Sequence, residues 1–489
     1  MKADFDIAVI GSGFAGSLLA TIARRLGKSV ILLERGRHPR FAIGESTTPL
    51  SNLLLEELAT RYRLPNLLPL CKWGPWRKTY PNLTCGLKRG FTFYHHEPGR
   101  YPQRADQLLV AASPRDAIAD THWYRADVDS FFVSEAREEG VEYRDEVRLE
   151  SAREEDDGIR IAGEGIDIKA RFAVDASGPR GFLHRAFALG ELPLPGMPPT
   201  EGLYTHFTGV RRLDELAPSD ETPPYPVDDA AVHHIFDGGW IWVLRFANGI
   251  TSAGVAARFG LGEGAPAWQR LMDRFPAIRT QFAAARAIRP FVHAPRLSFR
   301  SATIAGRHWA LLPSAAGFVD PLLSTGFPLT LLGVARLAEI FAGNGDLAAY
   351  ARKTEDELLA TARLIGGLYA SLTDFPRFVS LSLLYFAAAS YAETARRLGK
   401  PELAASFLLC DHPRFQFQPL LESARAEEVR RFIEPFNVAR LGDPARRNWY
   451  PADAEDMLNA AAKLGATRAE VARVLERCGF SCIARRPAG

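Results

Sequence analysis

The chain has 489 residues, 47% of them hydrophobic and 24% charged, with 60 Lys and Arg against 57 Asp and Glu. That length excludes a minimal binding module, and the composition excludes a disordered chain. A net charge of +3 provides no global field to draw nucleic acid or an anionic membrane, and neither is expected as a partner.

Residues 5–10 (Phe-Asp-Ile-Ala-Val-Ile) read as a buried parallel strand, too short for an export signal core. Gly11-Ser12-Gly13-Phe14-Ala15-Gly16 follows at once and opens a helical run. This is GxGxxG in its proper context. Gly11 permits the tight turn, Gly13 lets a pyrophosphate approach the backbone, and Gly16 allows close packing of helix on strand. The helix N-terminus adds amide donors and a positive dipole. A second strand, Val30–Leu33, ends in Glu34, placed to hold the ribose hydroxyls of an adenosine. A carboxylate there disfavours NADP and leaves FAD or NAD.

The segment Arg35 to Pro49 contains Gly44-Glu45-Ser46-Thr47-Thr48-Pro49. It resembles the GES-T-P stretch of flavin-dependent halogenases and related flavin monooxygenases, and the resemblance selects FAD. Arg35, Glu45, Ser46 and Thr47 become cofactor candidates by the same likeness. Lys88-Arg89-Gly90-Phe91-Thr92-Phe93 matches the K-x-G-x-x-F arrangement that resembles the catalytic-lysine motif of halogenases. By that resemblance, reduced FAD and oxygen oxidise chloride or bromide to hypohalous acid, and Lys88 aims the oxidant. An ammonium can donate a hydrogen bond to hypohalous acid and give up a proton, which Arg cannot.

Trp123 to Phe132 is similar to the family's R-x-x-F-D-x-x-L helix start, with Arg125 as a cofactor contact and Val128 where Phe is usual. Tyr143–Glu150 and Gly158–Gly163 suggest a small antiparallel layer before Phe172–Asp175 rejoins the sheet. Asp175-Ala176-Ser177-Gly178 resembles a second flavin-side turn. His95 with His96, and His233 with His234, tempt a metal reading. Neighbours on a strand point to opposite faces, however, so no metal is expected. One of His95 and His96 is a candidate substrate-side base.

Gly238 to Arg245 resembles the W-x-W-x-I-P signature through Trp240 and Trp242. The likeness implies that the two rings partition flavin from substrate. Arg245 replaces the usual Pro and is expected to bring a cation near the site. Gly260-Leu261-Gly262-Glu263-Gly264 is spaced GxGxG, so no second nucleotide domain is expected. Reduced flavin should then come from a separate reductase, as the resemblance implies.

Trp309 to Gly326 reads as strand, turn and helix start, and resembles the flavin-closing motif. Pro313-Ser314 stands where Gly-Asp is usual, which leaves the ribityl contact open. Asp320 and Gly326 match as cofactor residues, and the amides of Ser324, Thr325 and Gly326 suit a halide or the flavin N1–C2=O edge. Leu323 occupies the position where tryptophan-acting members carry Glu, which favours a phenol- or pyrrole-type aromatic, free or tethered to a carrier protein.

Beyond about residue 345 helical periodicity dominates. The run Phe378–Ala392 is too short to span a bilayer and reads as a buried helix. Thr467-Arg468-Ala469-Glu470 is a capping-box start. Five scattered cysteines, Cys71, Cys85, Cys410, Cys478 and Cys482, argue against a disulfide framework and fit a cytoplasmic location.

The expected fold is α/β. A discontinuous Rossmann-like FAD-binding domain of the glutathione-reductase/aromatic-hydroxylase type spans 1–180 and 300–345. A mixed substrate-facing β-sheet spans 181–299, and a C-terminal helical appendage spans 346–489. The leading function is a two-component FAD-dependent halogenase of an electron-rich aromatic. A hydroxylase or reductase of the same fold is the alternative, and a non-catalytic flavin-binding protein is a third reading.

Overall fold

A computed structural model describes residues 3–216, 221–258, 260–401, 448–459 and 461–480. Cys410, Cys482 and the basic tail at 485–487 lie outside them. Among the described residues two sheets carry the architecture. The first has seven strands in the order 142–144, 30–33, 5–10, 166–175, 158–163, 149–155, with 309–311 also paired to 166–175. Its centre is parallel, with Ile7 opposite both Phe172 and Val30, and Val174 opposite Ala310. Parallel strands covered on both faces have no solvent side, which is why Ile7–Ile10 and Val30–Leu33 are unbroken apolar runs.

Helix Phe14–Arg25 leaves the first strand through the glycine turn. A Cβ on Gly16 would lie 2.0 Å from the Gly11 carbonyl oxygen, so only glycine lets helix and turn meet. The antiparallel layer consists of strands Leu149–Glu155 and Gly158–Gly163, folded back on Ile166–Asp175, whereas the expected strand at Tyr143–Glu150 is not its first member: Glu142–Arg144 pairs parallel with the strand Val30–Leu33.

The second sheet has nine strands in the order 286–287, 201–208, 251–257, 239–245, 231–236, 90–96, 107–111, 449–450, with 292–294 beside 201–208. It recruits residues 90–111 and 449–450 as well as the 181–299 span. Strand Gly90–His96 therefore places the segment after Lys88 beside strand Ala231–Phe236. Strand Cys85–Lys88 instead forms a separate antiparallel ribbon with Asp120–Trp123.

The helical region is integral to the core. Helices Leu347–Ala370 and Phe375–Arg397 bury Leu364, Leu368, Phe378 and Leu381 in the same apolar cluster as Val9 and Leu32. The apolar run at 378–392 is thus a buried helix segment, and none of the described helices is long and apolar enough to cross a membrane. The last helix, Arg468–Arg477, begins with the expected reciprocal cap: Thr467 Oγ1 accepts from the Glu470 amide, and the Glu470 carboxylate accepts from the Thr467 amide.

In the second sheet, Gly254 lies opposite Trp242, and a Cβ there would lie 2.3 Å from the indole ring. Gly254→Ala should therefore destabilise the protein by about 1–3 kcal/mol, the range for overpacking a core. A denaturant titration checks this, and an unchanged midpoint would show that the indole moves aside freely.

Candidate flavin cleft and substrate chamber

A cleft of about 540 Å3 runs between the two sheets. At one end it is lined by Gly13, Phe14, Ala15 and Gly16, with Arg40 and Arg125 alongside. The first amides of a helix have no intrahelical acceptor, and here two guanidinium groups flank them. Arg125 is held rigidly: Nε and Nη2 pair with Asp129 at 2.7 and 2.9 Å, and Nη1 donates to the carbonyls of Ile43 and Gly44. Four of its five N–H donors are thereby used, leaving one for the cleft. This donor set fits a diphosphate.

Glu34 ends its strand as expected, buried and drawn inward. Its Oε2 accepts from the Ser12 amide and hydroxyl at 3.0 and 2.9 Å, and its Oε1 from the Gly36 amide. Burial disfavours the charged form, but Arg40 and these donors outweigh it and hold the carboxyl below its ordinary range. Gly11, Ser12 and Glu34 lie behind the cleft wall. Arg35, taken as a contact from sequence, is exposed and outside the lining, and Arg40 occupies that place instead. Arg40 had no motif to mark it. Asp175 also lies behind the wall, where Oδ1 accepts from Ser177 and Oδ2 from the Leu183 amide. It shapes the turn, while Ala176, Ser177 and Gly178 line the cleft.

The far end of the cleft is formed by Glu45, Ser46, His233, Trp240, Trp242, Ser314, Asp320, Ser324, Thr325 and Gly326. Side chains alternate across a strand, so Trp240, Trp242 and Leu244 share the cleft face. The two indoles lie 5.7 Å apart between centroids. Arg245, one residue on, faces away: it pairs with Asp228 and donates to the carbonyls of Val210 and Arg211. The expected cation near the site is absent for that reason.

Asp320 is buried at the junction. Oδ1 accepts from Trp240 Nε1 at 3.1 Å and from the Leu322 amide at 3.0 Å, and Oδ2 accepts from Tyr369 Oη at 2.9 Å. Burial pushes its carboxyl up to about 7 despite these donors. Just beyond it, Leu323 and Ser324 hold φ of 64° and 56°, a left-handed pair of non-glycine residues that costs about 1–3 kcal/mol each. Tyr385 Oη donates to the Leu323 carbonyl at 2.8 Å and supports this turn before helix Gly326–Phe341.

A second cavity, of about 210 Å3, lies on the other side of the wall. Apolar groups, including Phe91, Tyr385, Phe386 and Phe480, dominate it, with Asp120, Lys72, Glu393, Arg397 and Asp453 as charged members. Lys88 is fully buried and lines neither space itself. Its Nζ donates to the Thr47 carbonyl at 2.5 Å and sits 3.9 Å from the centre of the Phe91 ring. Ser46 lines the cleft, Thr48 and Phe91 line the chamber, and Thr47 between them holds the ammonium. Burial lowers the affinity of Lys88 for its proton, an effect that Asp120 opposes.

The histidines divide as strand geometry requires. His233 lines the cleft, stacked on Phe93 and tilted against Trp240. His234 turns to the other face, bonded to His96 and Gln281. His95 bonds the Leu372 carbonyl. Neither His95 nor His96 lines the chamber, so the expected substrate-side base is not found there. Among the described residues no three His, Cys, Asp or Glu side chains gather as a metal site.

With a GxGxxG turn, two flanking arginines and a long cleft between sheets, the class is a flavin-binding oxidoreductase. The chain belongs to the FAD dependent oxidoreductase family, whose model matches residues 6–319. It is 32% identical over 346 residues to tetracycline 7-halogenase of Kitasatospora aureofaciens, covering 67% of this chain and 61% of that protein. It is 30% identical over 348 residues to monodechloroaminopyrrolnitrin halogenase PrnC of Pseudomonas fluorescens, covering 68% and 61%. The chain thus spans about three fifths of the length of these relatives. A crystal structure of halogenase PltM with phloroglucinol and FAD superposes with a TM-score of 0.76 at 25% identity, covering 97% of this chain and 96% of that one.

Arg125→Lys keeps the charge and loses the planar fork. FAD affinity should fall about tenfold or more, the cost of one charge-assisted hydrogen bond. Flavin fluorescence titration measures it, and unchanged affinity would place the diphosphate elsewhere.

Proposed function

We propose that this protein is an FAD-dependent halogenase that uses reduced FAD, oxygen and chloride or bromide to halogenate an electron-rich aromatic of phenol or pyrrole type. The observation that carries this reading is the position of Lys88. A buried ammonium stands in the wall between a cleft that fits FAD and a separate apolar chamber. A hydroxylase that passes oxygen directly from flavin to substrate has no need of such a wall.

FAD, when bound, supplies oxidation of halide to the hypohalous level. The chain's own residues do the rest. Gly13 to Gly16, Arg40 and Arg125 hold the diphosphate, with Glu34 bracing the turn toward the adenosine. Ser314 stands where the family's ribityl-binding Asp is missing and is the hydroxyl available there. The amides of Ser324, Thr325 and Gly326 hold the halide. Trp240, fixed by Asp320, and Trp242 close the flavin side and keep substrate out. Lys88 takes hypohalous acid from the cleft side and presents its halogen to a ring in the chamber, its proton easing departure of hydroxide as water.

On this reading a separate flavin reductase supplies reduced FAD, the substrate arrives free or on a carrier protein, and the enzyme works in the cytoplasm. The first two follow from the family resemblance and the third from the cysteine pattern.

Lys88→Met preserves the volume and removes the proton. It should retain FAD binding and lose halogenated product by about 100-fold or more, the scale of general acid catalysis. The assay supplies FAD, a flavin reductase with NADH, bromide and a panel of phenols, indoles and pyrroles, read by the two-isotope bromine pattern in mass spectra. Retained bromination in the variant would overturn the role of Lys88, and a wild-type product gaining only oxygen would overturn the halogenase reading.

A further inference from the structure

One polar group in the chamber wall has no part in that scheme. Asp120 is only 5% exposed and lines the chamber. Its Oδ1 accepts the Asn52 side-chain amide at 2.7 Å, while its Oδ2 is buried with no partner in the protein. Buried polar atoms are ordinarily satisfied, and an ionised carboxylate can only accept. The missing partner is therefore a donor brought in by the ligand.

Register supplies the second observation. Asp120 is the direct antiparallel partner of Lys88, so both side chains leave the same face of the ribbon. The other groups acting on the carboxyl are Asn52, Lys72 and Glu393, and its charge acts in turn on Tyr385, whose hydroxyl is committed to Leu323. Burial raises the proton affinity of Asp120, with Lys88 pulling the other way.

We propose, building on the halogenase reading, that Asp120 is a catalytic base that accepts the hydroxyl proton of a phenol held in the chamber opposite Lys88. A phenol offers a hydroxyl donor on an apolar ring, which matches the free carboxylate oxygen beside Phe91, Tyr385 and Phe386. Its ordinary acidity, near that of tyrosine at about 10, is within reach of a buried carboxylate, whereas a pyrrole N–H is far too weak an acid. Removing the hydroxyl proton also makes the ring carbon more nucleophilic.

The step balances. The ring carbon bonds to the halogen as the halogen–oxygen bond of hypohalous acid breaks. Lys88 gives its proton to the departing hydroxide, which leaves as water, and Asp120 takes the hydroxyl proton, leaving a halogenated dienone. The ring proton then passes to the Lys88 amine, and Asp120 returns its proton to oxygen. The ring is oxidised by two electrons, the halogen is reduced, and both side chains are restored.

The test uses the full chain with FAD, reductase, NADH and bromide, on resorcinol and its dimethyl ether, with taurine to trap oxidised bromide. In wild type, bromoresorcinol should form at least about 100-fold faster than the brominated ether. In Asp120→Asn, bromoresorcinol should fall by about 100-fold, trapped bromine should take its place, and the residual rate should rise about tenfold per pH unit toward the phenol's own ionisation. Equal bromination of ether and phenol by wild type would overturn the proposal even if the variant did not fold. So would undiminished bromoresorcinol from the variant. Wild type that yields neither trapped bromine nor product would overturn the halogenase reading, and this proposal with it.

Discussion

The structure is organised around a buried ammonium. Moving an unpaired charge from water into an apolar interior costs several kcal/mol even after the protein relaxes. Lys88 meets that cost with three groups: the Thr47 carbonyl, the face of Phe91, and the carboxylate of Asp120 across the ribbon. Each comes from a different part of the chain. The loop after Glu34 must run along the cleft to bring in Thr47, and strand Gly90–His96 must leave the ribbon and join the second sheet to bring in Phe91. The passage of the chain from the ribbon to the second sheet follows from where the lysine has to sit.

The same wall is tied from the C-terminal side. Asp320 joins Trp240 of the second sheet to Tyr369 of helix Leu347–Ala370. Tyr385 of the next helix supports the left-handed turn at Leu323. Two residues held in that conformation persist only where their surroundings over-determine them. The helices that share the flavin core are what over-determines this turn, so the helical region stiffens the cleft as well as walling the chamber.

What the sequence made legible is what is local. The glycine turn, the Thr467 cap and the buried helix at 378–392 depend on neighbours within a few residues or on one periodicity, and each stands where expected. Asp120, Asn52, Arg40, Tyr369 and Tyr385 act across separations that leave no spacing to read. Asp120 meets Lys88 only because two short strands, 32 positions apart, pair in one register. Arg245 is a different case. If Trp240 and Trp242 face the cleft, the pleat sends residue 245 to the other side, so its direction was implied by parity alone. The departure from Pro at that position is therefore not a change in the cleft.

The partition also constrains how charge is carried. On the proposed reading, a wall that separates substrate from flavin must exclude water, and a net charge inside it would draw water in. Lys88 and Asp120 together carry no net charge whether the proton rests on the amine or on the carboxyl, so the wall stays neutral either way. Either residue alone would leave a charge without its partner, the situation that makes broken buried pairs so destabilising. A lysine that gives up its proton inside a dry wall therefore needs an acid opposite it. The register that sets Asp120 opposite Lys88 puts that acid on the neighbouring strand.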